Sequence, residues 1–123
     1  MNKQSFTWLK LALFAAVLVT MAMPAMAQSG SCNGTYCEGQ IGRLYVNTNS
    51  TPPTVYVSVP GGGYLNCALQ SGVYFTLPSN SPGYAQIYSL LLQAKTTNTP
   101  VIIRAVDYSN GCTIAYAVAG PAW

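Results

Sequence analysis

Four cysteines, Cys32, Cys37, Cys67 and Cys112, stand in a chain of 123 residues that contains no histidine. There is no histidine to complete a mixed Cys/His zinc set, and no two of the cysteines form the CxxC pair usual in zinc and redox sites, so the spacing favours two structural bridges over metal ligands or a redox pair. Four cysteines allow three connectivities, and the residues alone do not choose among them. Each bridge adds on the order of 2–4 kcal/mol, a supplement that a small domain with a modest core needs in an oxidising compartment.

That compartment is also indicated by the amino terminus. Lys3 and Lys10 flank a polar opening, and an uncharged apolar run follows from Leu11 to about Met23. The run is too short to span a bilayer as a helix. It ends at Pro24 and Ala25-Met26-Ala27, small residues where a signal peptidase reads, so residues 1–27 are expected to be a signal peptide cleaved before Gln28. The residue immediately after the cleavage site is Gln28 and not a cysteine, which argues against a lipid anchor. The expected product, residues 28–123, is one secreted or periplasmic domain without a further membrane span.

With the leader go two of the five basic residues, leaving Arg43, Lys95 and Arg104 against Glu38 and Asp107. A chain so nearly neutral has no basic field for a phosphate backbone, and nucleic acid is not expected as a partner.

Along the mature chain the pattern is mostly of strands. The segment around Cys32 and Cys37 reads as a loop or a short disulfide-closed turn. Gln40 to Thr48 and Thr54 to Val59 read as strands, the second with Val55, Val57 and Val59 on one face. Pro60-Gly61-Gly62-Gly63 reads as a turn, and Tyr64 to Leu77 as a third strand region interrupted at Gln70-Ser71-Gly72. A helix over 82–95 is expected, with Pro82 as its first residue and Ser81 or Asn80 as its cap. Ile87, Leu91 and Ala94 form its stripe, and Tyr84, Tyr88, Leu90 and Leu92 widen the apolar surface beyond it. Thr96 to Pro100 stops the helix. Val101 to Val106 and Cys112 to Val118 read as the last two strands, separated by a turn of the Asn-Gly kind at Asn110-Gly111.

Three strands, a helix and two strands is the element order of an OB-fold, a five-stranded Greek-key barrel with its helix between strands three and four. Tyr84 to Ala94 (YAQIYSLLLQA) and Pro100 to Arg104 (PVIIR) resemble the helix and fourth strand of secreted OB-fold proteins similar to the B subunits of bacterial AB5 toxins, the subtilase- and pertussis-like toxin family. Thr35 to Val59 and the pair Cys67-Ala68 resemble that family's first three strands. The resemblance implies that strands three and five run side by side in one direction, and with that a Cys67–Cys112 bridge and Cys32–Cys37 as the other. It also implies a homo-oligomer, a pentamer, assembling through helix 82–95, and a glycan or glycoprotein receptor as partner.

Catalytic parts are lacking. With no histidine and two distant carboxylates, general acid–base work would have to be improvised from serines and Lys95, and a lysine near a helix end is usually a solvated charge. The expectation is a non-enzymatic protein with no cofactor and no metal. Binding fits better, because the chain carries nine tyrosines for stacking among many Ser, Thr and Asn residues that hydrogen-bond to hydroxyls. In the toxin-like family sialic acid is held by an aromatic residue and a serine just ahead of the first strand. Those positions fall on Thr35-Tyr36-Cys37-Glu38: Tyr36 matches, but the serine position is Cys37, and a bridged cysteine cannot donate to a carboxylate. The resemblance thus implies a ligand site at Tyr36 and Glu38 with altered specificity. The alternative is a small disulfide-stabilised envelope or periplasmic domain, structural or protein-binding, with no sugar ligand.

Overall fold

The computed structural model describes residues 30–120; the expected signal peptide lies outside them, as does the end of the carboxy-terminal tail. Within that span ten strands and one helix are arranged in three sheets: mainly β with a single helix. The elements are β1 (Gly30–Gly34), β2 (Tyr36–Gly39), β3 (Leu44–Asn47), β4 (Thr54–Val57), β5 (Gly61–Leu65), β6 (Ala68–Leu69), β7 (Phe75–Pro78), α1 (Tyr84–Thr97), β8 (Val101–Ala105), β9 (Asn110–Gly111) and β10 (Ile114–Ala119). A five-stranded sheet runs in the order β10-β8-β2-β1-β5, a three-stranded sheet in the order β3-β4-β7, and β6 pairs with β9. The sheets do not join into a closed barrel.

The largest departure from the sequence reading is at the start. The segment read as a loop is a hairpin, β1 against β2, in which Cys32 faces Cys37 directly and the two are bridged. Gly34 makes the reversal possible at φ 64°, with the Thr35 N–H donating to the Asn33 carbonyl at 2.7 Å.

The glycine run read as a turn is a strand. β5 pairs with β1 in parallel, Gly61 with Gly30 and Gly63 with Cys32. A Cβ on Gly61 or Gly63 would fall inside contact distance of the Gly30 or Cys32 carbonyl oxygen, so the absence of side chains is what lets the two backbones meet. Asn110-Gly111 likewise forms β9 rather than a reversal; the turn before it lies at Asp107 and Tyr108, where Tyr108 has φ 58°.

Other limits shift for local reasons. The first expected strand shrinks to Leu44–Asn47, because Gly42 and Arg43 both face Ser58: the Gly42 N–H donates to the Ser58 carbonyl, and the Ser58 N–H to the Arg43 carbonyl, a bulge that breaks the ladder. The helix begins at Tyr84, two residues later than expected, capped by Gly83 in the left-handed region with no side-chain hydrogen bond, so neither Ser81 nor Asn80 caps it and Pro82 precedes it. It closes at Asn98 (φ 52°), with the Thr99 N–H returning to the Ala94 carbonyl at 2.9 Å and Pro100 following.

One core serves all three layers. Cys37, Val101 and Ile103 from the inner face of the five-stranded sheet meet Val55, Val57, Phe75 and Leu77 of the three-stranded sheet and Leu91 of α1, all buried. Tyr84, Ile87, Tyr88 and Leu90 pack against that core, which uses up most of the helix's broad apolar surface; Leu92 is its exposed large apolar side chain. Lys95 is tied down, its Nζ donating to the Ile41 and Gly42 carbonyls at 3.1 and 3.0 Å, so it pins the stretch between β2 and β3 to the end of α1. Thr76 joins the layers, bonding the Gly111 carbonyl through Oγ1 at 3.0 Å and lying beside Thr113 in a parallel bridge. The Cys67–Cys112 bond, between Cα atoms 5.2 Å apart, closes the same corner.

Candidate glycan-binding face

Because strand side chains alternate, the buried positions Val101, Ile103 and Cys37 force Ile102, Arg104, Tyr36 and Glu38 to the opposite face of the five-stranded sheet. The register then carries one row across all five strands. Tyr116 lies opposite Arg104, Arg104 opposite Tyr36, Tyr36 opposite Asn33 and Asn33 opposite Tyr64. Directly opposed residues stand roughly 4.5–5.5 Å apart at Cβ, so the row is a continuous surface of three tyrosines with a guanidinium and an amide set between them. The second row on this face runs Val118, Ile102, Glu38, Ser31 and Gly62.

The two residues that the sequence singles out, Tyr36 and Glu38, are therefore brought together two positions apart on one strand and one face. Both are half-buried, and the Ser31 hydroxyl donates to Glu38 Oε1 at 3.3 Å. Arg104 is positioned by Thr35 in the β1–β2 turn, its Nη1 donating to Thr35 Oγ1 at 2.9 Å, which leaves the other guanidinium N–H groups for a ligand. At the two ends Tyr64 is 66% and Tyr116 49% exposed, enough for a ring face to take a partner. Cys37 points the other way, into the core, and contributes nothing to this surface.

Arg104, Tyr116, Asn33 and Tyr64 were not singled out from the sequence. Their common row depends on pairings as distant in sequence as Tyr36 with Arg104, and no local pattern encodes it.

A second aromatic group lies on the outer face of the three-stranded sheet. Tyr45 and Tyr56, opposed across β3 and β4, stack at 5.1 Å between ring centroids with 12° between planes. Tyr74, just ahead of β7, stands edge-on to both at 5.4 and 6.1 Å. Arg43 Nη1 donates to the Tyr74 hydroxyl at 3.5 Å. Burial, then the Tyr74 and Tyr56 hydroxyls, raise the Tyr45 pKa above its ordinary value, against a lowering by Arg43.

Among the described residues no three or more His, Cys, Asp or Glu side chains gather as metal ligands would, and no helix is long and apolar enough to cross a membrane. No family model, no curated protein and no solved structure matches the chain.

Proposed function

We propose that this chain is a secreted, non-catalytic binding protein that takes glycans on the outer face of its five-stranded sheet. The observation that carries the reading is the row Tyr116, Arg104, Tyr36, Asn33 and Tyr64, held in one register across five strands. Sugars present an apolar C–H face and a rim of hydroxyls. Tyrosine rings take the first, and Arg104, Asn33, Ser31 and Glu38 offer donors and acceptors for the second. A sheet face holds these groups without the ordering cost of a loop, which suits a shallow site.

The finer architecture belongs to the same reading. We interpret the fold as an opened relative of the OB-fold barrel of toxin B subunits, supported by the single helix between β7 and β8 and by the parallel contact of Thr76 with Thr113 beside the Cys67–Cys112 bond. Such proteins act as oligomers, and a ring of copies, five by that resemblance, would turn several weak sites into avidity. Two disulfides agree with an oxidising compartment.

The test is a glycan array probed with the oxidised, exported protein in its native oligomeric state. Specific binding that disappears in Tyr36→Ala, with the disulfides and melting temperature retained, is the expected result. A folded protein that binds no glycan would move the assignment to an envelope protein-interaction role.

A further inference from the structure

The tyrosine group on the three-stranded sheet lies on a different sheet from the face just described, and both sheets turn their inner sides to one core, so the two surfaces look away from each other. We propose that Arg43, Tyr45, Tyr56 and Tyr74 form a second, independent site that takes a saccharide containing a hexuronic acid.

The stack fixes which ring is available. β3 is an edge strand, and Tyr56 on β4 covers one face of Tyr45, so the other face looks out over the strand edge and Tyr45 is 43% exposed. Tyr74 braces both rings at nearly a right angle, 87° to Tyr45 and 84° to Tyr56. Two tyrosines holding a third upright at an edge make a rigid stacking platform, with the outer backbone edge of β3, unpaired among the described residues, beside it for hydroxyls.

Charge selects among sugars. Arg43 ends next to the Tyr74 hydroxyl, and the two carboxylates of the described chain are elsewhere: Glu38 is on β2 with Ser31, and Asp107 is in the turn before β9. The guanidinium therefore offers its fork to an outside anion. In a D-hexuronic acid in its 4C1 chair the carboxylate is equatorial, in the mean plane of the pyranose, so a ring stacked on Tyr45 presents it sideways toward Arg43. A proline-rich peptide fits less well, because it docks between separated aromatic walls and the two parallel rings here already touch at 5.1 Å.

The test is an NMR titration of the oxidised protein, with ring-labelled tyrosine, using trigalacturonic acid, its methyl ester and decaproline as probes. Saturable shifts of the Tyr45, Tyr56 and Tyr74 rings with the acid are expected, with at least tenfold weaker binding in Tyr45→Ala and at least fivefold in Arg43→Gln. The ester should bind wild type no better than the acid binds Arg43→Gln. Unmoved rings, an affinity unchanged in both variants, or shifts produced by decaproline instead would overturn the proposal. Signals of Tyr36, Tyr64 and Tyr116 report the other face separately, so failure at one surface is distinguishable from failure at the other.

Discussion

Tyr36 and Arg104 lie directly opposite each other across the β2–β8 ladder, and Arg104 reaches one residue back to bond Thr35 at 2.9 Å. The guanidinium is thereby fixed beside a tyrosine ring at the centre of the sheet. Arg104→Met should cost about 1 kcal/mol of stability through the lost bond and lower glycan affinity at least tenfold. Arg104→Lys keeps the charge but not the planar fork and should recover only part of the affinity. Denaturant unfolding read alongside binding separates the two effects.

The β1–β5 pairing gives a sharp contrast between neighbours. Gly63 has φ 114° and lies against the Cys32 carbonyl, whereas a Cβ on Gly62 would meet nothing within 4 Å. Gly63→Ala should destabilise by at least about 2 kcal/mol and Gly62→Ala by less than about 0.5 kcal/mol. Equal effects in thermal unfolding would contradict the parallel register.

The two disulfides should differ in weight. Cys67 and Cys112 are 45 residues apart and Cys32 and Cys37 only 5, so loop closure predicts about 4 kcal/mol for the long bridge and about 2 kcal/mol for the short one. Paired Cys→Ser variants, unfolded in urea, measure each loss. Peptide mapping of the unreduced protein checks the connectivity independently.

Tyr45 makes a statement about alkaline stability. Its folded pKa is raised, so the folded state holds the phenolic proton more tightly than the unfolded state, in which the value is about 10. The associated stability is complete below about pH 10 and is lost as pH climbs toward the folded value. Unfolding free energy should therefore fall more steeply between pH 9 and 11 in wild type than in Tyr45→Phe.

Much of this architecture can be read from short-range pattern. Val55 and Val57 alternate with Tyr56 inside one strand, and Leu91 and Ala94 mark the buried side of the helix, because each depends on periodicity within a few residues. The misread segments are those whose conformation depends on a distant neighbour. Gly61–Gly63 reads as a turn until Gly30–Cys32 lies alongside it, and Asn110-Gly111 until Ala68-Leu69 does. Tyr36 and Glu38 are singled out through a resemblance alone, in a segment that reads as a loop, whereas Arg104 and Tyr116 join them only through the register of β8 and β10. Lys95 looks like a solvated charge because nothing nearby in sequence announces the carbonyls of Ile41 and Gly42.

The central place of β2 has a consequence in time. It forms its hairpin with β1 at once, but its other neighbour, β8, begins at Val101, and β8 in turn waits for β10. A chain delivered from its amino terminus thus spends most of its synthesis with an unpaired strand edge at residues 36–39, and loop closure over some 65 residues makes the final pairing slow. Until the last strands arrive, the protein is at its most exposed to aggregation, and a holding chaperone should raise its yield.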